Sequence, residues 1–242
     1  MYFQLYFPTS WTFWLEGLTA ASVVLVGIIL GLISIFKARK LKAKLLTVLG
    51  LAIFFIGFLY LGPATDFLMV IFTGTNVYSD FWGYGIYGIL SYLWIAPALV
   101  CAMYIGGELL TPKRKWVIVI IYLVLGLVFE YFLWFQTEET FEIPPPPPGE
   151  IIDSSFVTLY PTFLLMALFI VSILIFHGLG FLIKAAKSTG VLRKKFLLLG
   201  FGFIVFSVAG AGDALVNPGI MLVIVRVAMI SSIILMYLGL RA

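Results

Sequence analysis

Five ionisable residues, Glu16, Asp66, Glu130, Asp213 and Arg226, lie inside runs of apolar sequence and apart from every basic cluster. A charge at the centre of a bilayer costs about 2.5–3.5 kcal/mol on insertion scales, so such a residue implies a partner or a task. Four carboxylates against one guanidinium form a set that is net negative when fully ionised. A buried set of that kind holds a proton or recruits a cation. Asp213 and Arg226 flank a short turn and read as an ion pair, because arginine reaches along its own stem to find a carboxylate. In the plainer alternative, Glu16 and Asp66 sit at headgroup level and Asp213–Arg226 is a packing pair.

The elements that must position these residues are long and apolar. The 242-residue chain is 63% hydrophobic and 11% charged, whereas a soluble domain carries roughly a quarter charged residues. Its mean hydropathy is +1.16. Apolar runs of about 20 residues read as transmembrane helices. Seven are expected, near 11–36, 45–72, 82–110, 116–135, 156–183, 196–216 and 220–240. The whole chain is therefore read as one all-α, polytopic membrane domain, a seven-helix bundle. The N-terminal stretch has no basic segment and does not read as a cleaved signal peptide.

Of the fifteen lysines and arginines, all but Arg226 fall just outside the apolar runs. They group at 37–44, 113–115 and 184–195, with Arg241 at the end. The positive-inside rule makes those faces cytoplasmic, with the N-terminus outside and the C-terminus inside. The opposite loops contain no Lys or Arg, and the fourth-to-fifth loop carries Glu138, Glu139, Glu142, Glu150 and Asp153. The net charge of +4 thus belongs to loops on the anionic inner leaflet and implies no nucleic acid. In this orientation all five intramembrane charges fall in the outer half. Arg226 lies nine residues beyond Asn217, or about 13 Å at 1.5 Å per residue.

Local signals refine the spans. Trp11, Trp14, Trp82, Trp116 and Trp134 mark span ends, where amphipathic rings favour headgroups. Asn217-Pro218-Gly219 predicts a tight turn, and Gly62-Pro63 predicts a kink in the second span. Pro144 to Pro148 predict a stiff rod of about 15 Å, read mainly as a solvated linker. A faint repeat aligns ISIFKARKLKAKLLTVLG with FLIKAAKSTGVLRKKFLLLG, Asp66 with Asp213, and AMYIGG with LMYLGL. It suggests a three-plus-one-plus-three parallel plan, which in many membrane proteins puts a site at the repeat interface.

Catalytic readings find little. Gly83-Tyr-Gly85-Ile-Tyr-Gly88 matches a dinucleotide fingerprint without the strand that must precede it. Gly210-Ala211-Gly212-Asp213, Asp66 and Pro97-Ala98-Leu99 resemble elements of presenilin-type intramembrane aspartyl proteases, but in the wrong order. A catalytic dyad must also share a proton, and Arg226 works against that. One His and one Cys do not make a usual zinc set, so no metal or other cofactor is expected. No lysine lies inside span seven to hold retinal. His177 reads as a hydrogen-bonded interfacial residue and Cys101 as a small buried hydrophobe. Glu108 reads as a surface partner of the 113–115 cluster.

KARKLKAKLLTVLGLAIFFIGFLYL, LWIAPALVCAMYIGGELLTPKRKWVIVI and LRKKFLLLGFGFIVF resemble the seven-transmembrane sensor region at the N-terminus of archaeal and bacterial histidine kinases. The resemblance implies a sensor that signals to the cytoplasm. The sequence given departs from it by ending at Arg241-Ala242 without a coiled coil or kinase, so a separate signalling partner at the cytoplasmic face is implied.

The expectation is thus a non-enzymatic, multi-pass protein of the cell membrane. It would be receptor-like, with Glu16, Asp66, Glu130, Asp213 and Arg226 around an outer pocket for a small polar or cationic ligand. A small-solute or ion/proton-coupled transporter is the alternative, and an intramembrane protease is a remote third. Broken helices at equivalent positions of both halves would favour the transporter.

Overall fold

The computed structural model describes residue 8, residues 10–216 and residues 219–240. The turn expected at Asn217-Pro218 and the terminal Arg241 lie outside the described residues. Helix α1 (Trp11–Leu41) begins at Ser10, whose hydroxyl accepts from the Phe13 N–H, and ends at a left-handed Lys42. The second apolar run is divided into α2 (Lys44–Phe58) and α3 (Leu61–Thr73), bent by 45°. Pro63 explains the break. It lacks an N–H for the carbonyl four residues back, and its ring clashes with that carbonyl, which belongs to Leu59.

The third run comprises α4 (Gly85–Tyr92) and α5 (Ile95–Leu110). A short 3-10 turn at Pro112–Arg114 leads into α6 (Lys115–Phe135). After it, α7 (Thr137–Thr140) and two short antiparallel strands, β1 (Phe141–Glu142) and β2 (Ser155–Phe156), shape the acidic loop. The fifth run is α8 (Pro161–Ser172), a π-helical segment (Ile173–Leu179) and α9 (Gly180–Ala186). Helices α10 (Gly190–Asp213) and α11 (Ile220–Leu240) complete the chain.

Six of these runs are long and apolar enough to cross a membrane, and the bent α2–α3 pair makes seven if it is one span. The surface agrees with that reading. On α6, Val119, Gly126, Phe129 and Leu133 are buried, while Trp116, Ile120, Val124, Leu127 and Tyr131 are exposed. A continuous exposed apolar belt of this kind suits a lipid solvent and not water. The protein is thus an all-α, multi-pass membrane protein.

Close backbone approach holds the first pair together. A Cβ on Gly27 would stand 2.5 Å from the Gly57 Cα, and one on Gly31 would stand 2.9 Å from the Gly50 carbonyl oxygen. Helices α1 and α2 therefore pack with small residues at the crossing. At the basic end, Lys37 donates to the Tyr237 hydroxyl at 3.1 Å, tying α1 to α11. Lys115 pairs with Glu108 at 2.7 Å, as expected for that cluster.

The acidic loop is more than a linker. The run Pro144–Pro148 has no regular structure and is mostly exposed, but Ile151 and Ile152 are buried against Phe13, Phe67 and Tyr87. The segment folds back over the end of the bundle as a cap.

Candidate functional site: a charged cavity beneath the acidic cap

A cavity of about 150 Å³ lies inside the bundle at the acidic-loop end. Glu16, Tyr60, Asp153, Asp213 and Arg226 line its upper part, together with the Tyr87 and Tyr92 rings. Leu99, Ala102, Phe169, Ile173, Phe203 and Met229 line its floor. Asp153 is exposed and sits at the mouth. Below the floor, Met103, Ile105, Phe181, Leu199, Ile233 and Met236 are fully buried, so packed side chains separate the cavity from the basic end.

Arg226 is 4% exposed and organises the upper wall. One turn and a half into α11, it reaches across to α1, where Nη1 donates to the Glu16 main-chain carbonyl and, at 3.2 Å, to the Thr19 hydroxyl. Its guanidinium carbon lies 5.6 Å from the Tyr60 ring centroid, a cation–π distance. Its Nε stands 3.8 Å from Asp213 Oδ1. That is an ion pair without a hydrogen bond. The Tyr60 hydroxyl also lies beside Asp213 without meeting hydrogen-bond geometry.

The result is a concentration of unmet polar groups. Of the nine side-chain atoms buried without a hydrogen-bond partner among the described residues, four, Glu16 Oε1, Tyr60 Oη, Asp213 Oδ1 and Arg226 Nε, belong to residues that line this cavity, and the other five, Glu130 Oε1 and His177 Nδ1 among them, lie elsewhere. Buried polar atoms in native proteins nearly always have partners, and exceptions call for an explanation. Four such residues therefore share one cavity wall.

The five residues singled out in the sequence therefore divide. Glu16, Asp213 and Arg226 meet at the cavity. Asp66, fully buried, belongs to the cap: Oδ1 accepts from the Val77 N–H at 2.7 Å, and Oδ2 accepts from Ile152 N–H at 2.9 Å and Asn76 Nδ2 at 3.0 Å. Asn76 also donates to the Glu150 carbonyl, and Thr12 to its carboxylate. Glu130 is half-buried on α6, accepts from Trp134 Nε1 at 3.1 Å, and does not line the cavity. Asp66 and Asp213, aligned by the faint repeat, have no partner in common.

Three residues join the site without having been selected from sequence. Thr19 and Tyr60 carry no charge, and nothing in an apolar run marks them. Asp153 was visible only as one of several loop acids, although the apolar pair Ile151-Ile152 just before it signals a loop segment that turns inward.

His177 is fully buried in the bundle, and it is hydrogen-bonded as expected. Its Nε2 bonds the Ala102 carbonyl at 2.8 Å, and its ring packs on Phe176, Phe181 and Phe203. Gly106 makes room for it, since a Cβ there would stand 2.6 Å from Nε2. His177 sits in the π-helical segment, so the histidine buttresses the cavity floor from behind.

No protein-family model matches this chain, and no curated protein or solved structure does either. Among the described residues, no group of three or more His, Cys, Asp or Glu is placed to hold a metal ion.

Proposed function

We propose that this protein is a receptor-like membrane sensor. A small polar or cationic ligand enters the cavity from the acidic-cap side, and its occupancy is relayed to the basic face and to a partner protein there. The bundle has seven spans in this reading, with the cap outside the cell membrane and the basic loops in the cytoplasm, an orientation supported by the distribution of Lys and Arg. The role is binding and relay, not catalysis. The observation that carries the proposal is the meeting of Glu16, Tyr60, Asp213 and Arg226, each with a buried polar atom that makes no hydrogen bond, on one cavity wall.

Two features favour a sensor over a carrier. The cavity has a packed floor, and among the described residues one pair of helices, α2–α3, is bent by more than 40°, at 45°; α10, aligned with it by the faint repeat, runs unbroken for 24 residues, and the fifth run is interrupted by a π-helical segment without such a bend. Leu59 and Tyr60, at the break, both line the cavity. An occupant that prefers one angle between α2 and α3 shifts the bundle toward that packing, which is what a ligand-driven relay requires. The reading rests on the cavity and not on the likeness to histidine-kinase sensor regions.

The test needs no ligand. Ala98 lines the cavity, so Ala98→Leu places side-chain atoms in it and imitates an occupant. The sensor reading expects altered hydrogen exchange around residues 59–61 and at the 42–44 turn, and no proton or cation flux into liposomes by the wild type. Flux that disappears in Asp213→Asn establishes a carrier instead. Neither flux nor altered exchange reduces the cavity to a packing gap.

A further inference from the structure

The ligand class can be narrowed by charge and shape, an inference that rests on the receptor reading above. We infer that the cavity binds a small amphipathic ammonium ion, with its charged head at Glu16 and Asp213 and an apolar body about the size of one six-membered ring on the Leu99–Phe203 floor.

The sign of the head follows from the balance of charges. Glu16, Asp153 and Asp213 line the cavity against Arg226 alone, so the ionised site is net negative. The guanidinium is also held through Nη1 by the Glu16 carbonyl and the Thr19 hydroxyl, by the Tyr60 ring, and by the Asp213 carboxylate 3.8 Å from Nε, although Nε makes no hydrogen bond. An anionic head would have to compete for it beneath Asp153 and Asp213. A cationic head meets Glu16 Oε1, which makes no hydrogen bond, Asp213 Oδ1, which makes none beyond its 3.8 Å ion pair with Arg226, and the aromatic lining of Tyr87 and Tyr92. Glu16 is 7% exposed, so its free oxygen is not supplied by bulk water at the surface.

The body follows from the floor. Phe169, Phe203, Leu99, Ile173 and Met229 offer no charge and no hydrogen-bonding side-chain group stronger than a thioether. The cavity volume of about 150 Å³ is comparable to an engineered apolar cavity that admits benzene. A hydrated inorganic cation fits the upper wall but leaves this floor without apolar contact.

Phenethylammonium, 2-phenylethanol, 3-phenylpropionate and methylammonium separate charge from shape. Their binding to the full chain in nanodiscs is measured by titration calorimetry and by the shift in thermal unfolding. Phenethylammonium is expected to bind saturably. The alcohol and the carboxylate are expected to bind at least roughly tenfold more weakly, the loss that follows when a charge-assisted contact goes unmade. Methylammonium is also expected to fall by roughly tenfold or more, since it buries no ring. Asp213→Asn, at a side chain 30% exposed and so tolerant of change, weakens phenethylammonium by a similar factor, and Ala98→Leu blocks it. Glu16→Gln repeats the test at the deeper carboxylate.

Equal or tighter binding of the alcohol or carboxylate, still blocked by Ala98→Leu, overturns the ammonium assignment and leaves the receptor reading standing. Methylammonium binding as tightly as phenethylammonium overturns the amphipathic body. Binding that survives both Asp213→Asn and Ala98→Leu places the ammonium elsewhere and overturns the inference. Absence of binding by all four probes also overturns it, while the exchange and flux measurements judge the receptor reading separately.

Discussion

Arg226 meets α1 at the main-chain carbonyl of Glu16, not at its carboxylate. The contact fixes α11 against α1 while leaving Glu16 Oε1 without a hydrogen-bond partner. One residue thus serves two links of the chain from packing to function. Its donors hold the helices, and its charge is the counterweight for Glu16 and Asp213 across the cavity.

Removing that charge exposes the dependence. Arg226→Ala deletes the guanidinium and leaves the buried Glu16 carboxylate and the partly exposed Asp213 carboxylate without their counter-charge. Breaking a fully buried pair costs about 3–5 kcal/mol, and with Asp213 30% exposed thermal unfolding in detergent is expected to show a smaller loss, of about 1–3 kcal/mol. Part of it returns in the combination with Asp213→Asn, because the orphaned carboxylate is then gone. A triple variant that also carries Glu16→Gln recovers more. No recovery in either combination would mean that Arg226 stabilises through its stem and its carbonyl contact alone.

Asp66 is the anchor of the cap. Its two oxygens accept from three donors on two separate loops. Asp66→Asn keeps the shape but places an amide nitrogen where one oxygen stood, so a buried N–H goes unpaired in either orientation. An unpaired buried donor costs about 1–3 kcal/mol. Amide exchange at Val77 and Ile152 is expected to accelerate by roughly tenfold or more, with 1.4 kcal/mol corresponding to a factor of ten. Unchanged exchange at both amides would show that the cap is held by Thr12–Glu150 and its apolar contacts instead.

How far these arrangements were legible in the sequence depends on the physics behind each. The apolar runs announce themselves, because a bilayer requires about 20 residues without charge. The break in the second run was legible too, since Pro63 cannot complete the helical ladder. What one sequence does not carry is rotation about a helix axis when apolar residues surround it. Glu130 and Asp66 therefore looked equivalent to Glu16 and Asp213, although one turns toward Trp134 and another toward the loops. Arg226 was recognisable as an intramembrane charge in need of a partner, yet its main-chain acceptor on α1, 210 residues away in sequence, leaves no pattern to read.

The close fit of Gly106 and His177 gives a prediction free of charge effects. A methyl at Gly106 would stand 2.6 Å from Nε2 and 2.8 Å from the Phe176 ring. Gly106→Ala must push the imidazole off the Ala102 carbonyl, and overpacking of this kind costs about 1–3 kcal/mol. His177→Ala removes the obstacle at the price of its own cavity. A double-mutant cycle is expected to show the two changes to be non-additive, with Gly106→Ala costing less in the His177→Ala background, where the Phe176 ring at 2.8 Å is the contact that remains. Additive losses would mean that the two residues are not in contact.

Glu130 tests the division of the five charges most directly. It accepts from Trp134 on its own helix and stands apart from the cavity lining. Sites that share no partner add within about 0.3–0.5 kcal/mol. Glu130→Gln is therefore expected to leave phenethylammonium affinity within roughly twofold, a change of that size in free energy, while Asp213→Asn reduces it. The glutamine oxygen still accepts from the Trp134 indole, so the local helix is preserved and the comparison is one of charge alone. Calorimetry on the two variants side by side decides the matter. A loss at Glu130 equal to that at Asp213 would return Glu130 to the binding site and require a bundle in which α6 turns its acidic face inward.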